Sequence, residues 1–319
     1  LKVFLPFGMN QVGSKEEENM EHRSRRWALK AGAASLGAVA AGLLGGCSAS
    51  GPATATRSAS PSASGAASST PPAPAPSASP SSARQYPTRA QILSEFKNQR
   101  TGEFGLEVKG IELGLPKTTK SAALTFDACG GAHGSAIDHA LLDTLRDHKV
   151  PATLFINQRW ARSNGAAMEE LVADPLFEIA NHGTSHAPLS VAGQSAYGIY
   201  GTGSVGEAYD EVMGNQQYLA GQYAVDARFF RSGTAHMDEV SAAMCRKLGL
   251  IPMNFTVNLD AGASFPAATV AAQMQLLSAG SVGIGHFNQP ESGTAKGIAL
   301  GLAAALDSGL EFITLSEAW

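Results

Sequence analysis

From Ala122 onward the apolar positions alternate between two rhythms. Short, almost uninterrupted apolar runs cover Ala122–Phe126, Ala152–Ile156, Phe177–Ala180, Ala227–Phe230, Ile251–Val257, Ser281–Gly285 and Glu311–Leu315, and these read as strands. Between them apolar residues recur three and four apart. Ile137–Lys149 puts Ile137, Leu141, Leu142 and Leu145 on one helical face. Ala166–Val172, Val205–Gln222, Asp238–Leu248, Pro266–Ala279 and Thr294–Leu306 follow the same spacing, with Gly249 placed to cap one of them. Seven strands, each but the last followed by a helix, predict a parallel sheet with covering helices. An open doubly wound sheet and a closed barrel both satisfy that pattern. No Gly-x-Gly-x-x-Gly follows the first strand, which weakens a dinucleotide-binding fold.

The polar residues at the strand ends favour the barrel. Asp127, His182, Arg231, Asp260 and His286 all stand at or just beyond the C-terminal end of a strand, where β/α barrels collect their chemistry. Each alone has a structural use as a helix cap, an ion pair or a hydrogen-bonded core histidine. Together they suggest a site. His182-Gly-Thr-Ser-His186 is a histidine pair of the type that binds zinc-like divalent metals. Asp127 suits a metal ligand or a general base, and His286 backed by Asp260 suits a general acid. Arg231 suits an anchor for a carboxylate or an anionic substrate.

Composition divides the chain. Ser48–Gln85 has no Val, Ile, Leu, Met, Phe, Trp or Tyr, so it is expected to be a disordered Ser/Ala/Pro linker. Residues 1–85 carry 8 Lys/Arg and 4 Asp/Glu, and residues 86–319 carry 15 and 23, which gives +4 and −8. An acidic globular part argues against nucleic acid as a partner. Ahead of the linker, Arg25-Arg26 and the uncharged run Ala31–Gly46 read as a twin-arginine export signal that starts at Met20. Leu43-Leu44-Gly45-Gly46-Cys47 resembles a lipoprotein box, which predicts acylation of Cys47. The expected protein is an exported monomer, tethered by that lipid to the outer face of the cytoplasmic membrane or the cell envelope. Three cysteines exclude a disulfide scaffold. Cys129 and Cys245 are available to pair, although a helical setting for Cys245 favours a buried thiol.

Thr125-Phe126-Asp127, Asn181-His182-Gly-Thr-Ser-His186, Phe229-Phe230-Arg231 and Gly285-His286 resemble, in order and spacing, the motifs of the polysaccharide deacetylases, the NodB-homology family or carbohydrate esterase family 4. The resemblance spans about Ala122 to Trp319. It implies a distorted (β/α)7 TIM-like barrel and removal of N-acetyl groups from an amino-sugar polymer with a divalent metal, zinc first, cobalt or nickel next. It also implies roles for the motif residues. Asp127 would be the base, His182 and His186 metal ligands, Arg231 the residue that orients the base, and His286 the acid held by Asp260.

Departures from the family pattern are equally specific. The family's second Asp, its third metal ligand, is replaced by Ala128. Asp127 is the expected substitute, with Cys129, His133 or His236 as alternatives. The usual prolines near Arg231 and the Trp after Asp260 are missing. The Gly/Ser-rich stretch Val191–Val205, with Tyr197 and Tyr200, reads as a lid or a sugar-stacking loop, or else as a plain surface insertion. Four segments are expected: 1–47 signal, 48–85 linker, 86–121 an extension packed on the barrel, and 122–319 the catalytic domain. Two other functions fit the same residues, a glycan-binding lipoprotein without activity and an amidase for small amides.

Overall fold

The computed structural model describes residues 84–319, so the signal, Cys47 and nearly all of the linker lie outside the described residues. In chain order the elements are α1 (Arg89–Phe96), β1 (Phe104–Gly105), β2 (Ala123–Ala128), α2 (His139–Asp147), β3 (Ala152–Ile156), α3 (Gln158–Ser163), α4 (Gly165–Ala173) and β4 (Phe177–Asn181). They continue with α5 (Val205–Tyr223), β5 (Phe229–Phe230), β6 (Met237–Asp238), α6 (Glu239–Lys247), β7 (Ile251–Pro252), β8 (Val257–Asn258), α7 (Ala267–Met274), β9 (Val282–His286), α8 (Thr294–Asp307) and α9 (Leu315–Ala318). Short polar side chains start several of the helices. Asp138, Asn157, Ser204 and Asp238 each accept a backbone N–H of the first turn of α2, α3, α5 and α6.

Seven strands form one parallel sheet in the order β7-β5-β4-β3-β2-β9-β8. Its edges, β7 and β8, are separated in the chain by residues 253–256 alone. So short a connection reaches at most roughly 18 Å, and the sheet must curl until its edges approach each other. The outcome is the distorted β/α barrel expected from the sequence, closed by a connector in place of a final ladder.

The connector corrects one expectation. The run Ile251–Val257 is two short strands on opposite edges, because the backbone between them bonds elsewhere. The carbonyls of Met253 and Asn254 accept hydrogen bonds from the buried Arg231 guanidinium. The expected last strand, Glu311–Leu315, shrinks to a single bridge between Ala122 and Phe312. A capping box between Thr314 and Glu317 then starts α9. The expected strand Ala227–Phe230 keeps ladder pairing at Phe229 and Phe230. The pairing of β1 with β6, and helix α3, were not foreseen.

Side chains along a strand alternate faces with a period of two. On the outer face of β2 and β3, Leu124, Phe126, Ala128, Ala152, Leu154 and Ile156 join the cluster under the covering helices. Ala123, Phe155, Ala180, Phe229 and Val282 fill the barrel with Met253 and Leu315. Parallel strands covered on both faces carry continuous apolar runs, which is why these strands show no alternation in sequence. The inward register continues at the mouth of the barrel. After Ala123 come Thr125 and Asp127, after Ala180 comes His182, after Phe229 comes Arg231, and after Val282 come Ile284 and His286. Ile92 and Phe96 of α1 pack in a separate cluster with Val212, Met213, Met244 and Leu248 of α5, α6 and the turn after α6.

Candidate active site

Asp127 is 3% exposed and Arg231 is 0% exposed. Arg231 Nη1 donates to Asp127 Oδ1 at 2.7 Å. Its Nη2 donates to Thr125 Oγ1 at 3.0 Å and the Asn254 carbonyl at 3.0 Å, and its Nε to the Met253 carbonyl at 3.1 Å. The guanidinium carbon lies 4.0 Å from the centre of the Phe155 ring. Such a fork holds the carboxylate in one orientation. Burial pushes the Asp127 carboxyl up, but Arg231 and then His182 hold it below its usual value.

His182 Nδ1 donates to the Arg231 carbonyl at 2.9 Å. That bond fixes the ring and turns Nε2 toward Cys129 and Asp127, the outer-shell arrangement that metal-binding histidines use. His186 follows on a tight loop in which Gly183 and His186 both have positive φ. The loop is held from behind by Glu211 of α5, a 5% exposed carboxylate. Glu211 accepts the backbone N–H of Ser185, His186 and Ala187, and the Ser185 hydroxyl. Gly233 must be glycine, because a Cβ there would run into the backbone of His186. The two imidazole rings meet edge to face with centroids 4.8 Å apart.

The third corner beside the two histidines is Cys129. One donor atom each from Cys129, His182 and His186 lies within 4.8 Å of the others. Cys129 Sγ is 3.8 Å from His182 Nε2. Tetrahedral zinc with ordinary Zn–S and Zn–N bonds requires about 3.6 Å between those atoms, so this pair fits the group. Asp127, the ligand expected from sequence, lies outside the triangle. Its Oδ1 is committed to Arg231 and its Oδ2 stands 3.5 Å from His182 Nε2. The reason is register. Ala128 faces outward into the helix-covered core, and the next inward position is Cys129. Burial raises the Cys129 thiol, but His186, and hydrogen bonds from His182, His186 and His286, pull it well below its ordinary value. Burial lowers the proton affinity of His182, and Asp127, Cys129 and the Arg231 carbonyl together more than restore it. A thiolate and a carboxylate facing two imidazoles make a site that favours a cation.

His286 completes the ring from β9. Its Nδ1 donates to Asp260 Oδ1 at 2.9 Å and its backbone N–H to Oδ2 at 2.7 Å. Thr294 at the start of α8 donates its hydroxyl to the same Oδ2 at 2.9 Å. Burial alone would lower the pKa of His286; the charge and hydrogen bond of Asp260, with Cys129 beside them, raise it well above the ordinary value. All six residues expected from sequence therefore meet at one end of the barrel. Asp127, His186 and His286 among them, together with Cys129, line a cavity of about 670 Å³.

His133 lines the rim of that cavity, outside the cysteine–histidine triangle. His236 is tied by Nδ1 to the Thr234 carbonyl at 2.7 Å and stacks on Tyr197 and Phe104. Cys129 and Cys245 are both free thiols, so the pairing considered from sequence does not form. Cys245 is buried in α6, and burial raises its pKa.

Glu211 and Thr294 are the positioning residues missed from sequence. The available signal for Glu211 was a run of polar residues, Glu211, Asn215 and Gln216, on the buried side of an amphipathic helix. Glu211→Ala strands its buried donors and should cost about 3–5 kcal/mol of folding stability. Urea unfolding of the two proteins side by side checks this, and a loss below about 1 kcal/mol would contradict it.

Residues 114–252 match the family model described as Polysaccharide deacetylase. A search of curated proteins finds no match. Solved structures with a similar fold include a carbohydrate esterase family 4 pseudoenzyme from Bacillus anthracis. That pair is 17% identical, with 65% of this chain and 67% of that one covered and a TM-score of 0.53. A peptidoglycan N-acetylglucosamine deacetylase is 18% identical over 65% of this chain and 91% of its own, at a TM-score of 0.55. A family 4 acetyl xylan esterase from Clostridium thermocellum, solved with a cobalt ion, is 20% identical over 61% of this chain and 88% of its own, at a TM-score of 0.51. At such identities these likenesses speak to the fold, and the family match speaks to the barrel's first five parallel strands. Residues 114–252 thus resemble a polysaccharide deacetylase, on a barrel fold shared with these family 4 structures.

Proposed function

We propose that the protein is a divalent-metal-dependent hydrolase that removes N-acetyl groups from an amino-sugar polymer at the cell envelope. The observation that carries this reading is the meeting, in one cavity, of three metal-type donors with a buried carboxylate and a carboxylate-backed histidine. Cys129, His182 and His186 would hold the ion, and a thiolate with two imidazoles favours zinc over harder metals. Bound there, a divalent ion supplies Lewis acidity toward the acetyl carbonyl and a nucleophilic water near neutral pH.

The chain's own residues do the rest. Asp127, kept ionised by Arg231, accepts the proton of the attacking water. His286, kept protonated by Asp260, gives its proton to the leaving amine nitrogen. Acetate and a free amino sugar result. Thr125 and the connector carbonyls fix Arg231, so the base does not swing during the reaction. The export signal and Cys47, read from sequence, support an envelope location.

Ala128 favours a second reading, a glycan-binding protein without turnover. The test is acetate release from N-acetylated chito-oligosaccharides and peptidoglycan, before chelation, after it, and after zinc, cobalt or nickel is restored. The enzyme reading expects acetate, its loss on chelation and its return with metal. Glycan binding without acetate under any metal, unaffected by chelation or by His286→Ala, would establish the second reading.

The groups around His286 give a pH prediction. Asp260, Asp127 and Cys129 surround it, and Asp260 is the largest of the causes that raise its pKa, followed by Cys129. The raised value keeps the acid protonated through neutrality, and activity should fall only as pH rises through it. Asp260→Asn should move that alkaline limb toward the ordinary histidine range and lower kcat at pH 8 more than at pH 6. An unshifted limb in the pH–rate profile would count against His286 as the acid.

A further inference from the structure

Five large apolar side chains stand exposed among the described residues, and three of them, Tyr197, Ile199 and Tyr200, occupy one turn. Tyr197 is 79% exposed and Tyr200 is 86% exposed. Scattered exposed apolar residues need no explanation, but a cluster on one turn whose first member, Tyr197, lines a cavity does.

The turn is a two-residue hairpin. Ala196 and Ile199 exchange both backbone hydrogen bonds, at 3.1 and 2.9 Å. Tyr197 and Gly198 between them have φ of 52° and 76°, the signature of a type I′ turn. Asn, Asp or Gly suits the first of those positions. A tyrosine there is strained by the clash of its Cβ with the following carbonyl, and its ring is not repaid by burial. The base of the loop, by contrast, is fixed. The Thr202 hydroxyl bonds the Ser190 carbonyl at 2.5 Å and accepts the Ser190 N–H at 2.9 Å. Val191 N–H donates to Asp238 Oδ2 at 2.6 Å. A rigid stem thus presents two aromatic rings to solvent.

Their position and surroundings identify the occupant. Tyr197 lines the same cavity as Cys129, His186 and His286. It stacks edge to face on His236 with centroids 5.2 Å apart, which leaves its ring standing at the wall. Phe255, Ala261 and Gly262 also line the cavity, so Tyr197 shares it with one other aromatic side chain. From Val191 to Gly203 there is no charged residue. A neutral, aromatic lip suits a chain that is itself uncharged and alternates flat C–H faces with hydroxyl edges. A pyranose polymer has those properties, since an aromatic ring can cover the C–H face while the hydroxyls stay in water.

We propose that Tyr197 and Tyr200 form a stacking platform for the pyranose rings of a neutral amino-sugar polymer. Tyr197 covers a ring at the cavity and Tyr200 a ring farther along the chain. The platform rests on the reading of the cavity as a glycan deacetylase site, and it makes substrate length a determinant of turnover.

The test measures binding by calorimetry, and acetate release, for β-1,4-linked N-acetylglucosamine oligomers from monomer to hexamer. The proteins are the full chain, Tyr197→Ala, Tyr200→Ala and the ring-keeping Tyr197→Phe and Tyr200→Phe. The full chain should favour the hexamer. Each alanine variant should lower the ratio of hexamer to monomer kcat/KM by about tenfold, the size expected for one aromatic contact, while both phenylalanine variants should keep it. A hexamer that binds the full chain, loses affinity in the alanine variants and releases no acetate would support the platform while overturning the deacetylase reading. A length preference equal in all five proteins, or no oligomer binding at all, would overturn the platform.

Discussion

Cys129→Ser should empty the metal site. The full chain, dialysed after zinc loading, is expected to keep a bound ion, and the serine variant to lose it. A serine hydroxyl stays protonated at neutral pH, whereas the Cys129 thiol is held well below its ordinary pKa by His186 and the neighbouring histidines. Removing even an outer-shell partner commonly costs 10–100-fold in metal affinity, and loss of one of three ligands should exceed about 100-fold. Elemental analysis measures the ion directly. Cobalt loading adds an independent signal, because a thiolate ligand gives a charge-transfer band in the near ultraviolet that serine cannot. Cys129→Asp should retain metal and lose that band, since a carboxylate at the same inward position offers an oxygen donor. Equal zinc in the full chain and Cys129→Ser would remove cysteine from the ligand set.

The same register explains what the sequence could and could not show. Asp127, His182, Arg231 and His286 were legible because each breaks an apolar run at its C-terminal end, and a parallel sheet gathers those ends on one rim. Asp260 was legible as the carboxylate that follows β8. The third corner of the donor triangle was legible only as one of four alternatives, with Asp127 preferred to Cys129, His133 and His236. Choosing between Asp127 and Cys129 requires knowing that β2 stays extended through Ala128, so that Ala128 faces the helices. An apolar run buried on both faces hides that parity. The fold had a similar blind spot. Ile251–Val257 is apolar enough for one strand, but Arg231 draws the carbonyls at its centre out of the ladder. Glu211 was hidden differently. A carboxylate in mid-helix usually marks the solvated face, and only the backbone N–H groups of the distant His186 loop make burial worthwhile there.

Asp127→Asn should separate binding of metal from turnover. Asparagine keeps the shape, so the Cys129, His182 and His186 triangle should still hold its ion. It cannot accept a proton from water, and kcat should fall about 10²–10⁴-fold, the usual share of a general base. Stability should fall as well. Arg231 has 0% exposure, and Asp127 is its charged partner. A buried guanidinium without its counter-charge costs about 3–5 kcal/mol. The pH dependence fixes the sign. The Asp127 pKa is lower in the folded protein than its ordinary value. Its stabilising contribution is therefore complete above the ordinary carboxylate range and disappears as pH falls through the depressed folded value. The full chain and Asp127→Asn should differ most in urea unfolding near neutral pH and converge in strong acid. A variant with near-normal kcat would show that the proton goes elsewhere. A variant that lost its metal would return Asp127 to the ligand set and leave the base to be found among other groups. Retained metal with lost turnover is the outcome that divides the ring as its hydrogen bonds do, with Cys129 and the two histidines on the ion and Asp127 on the water.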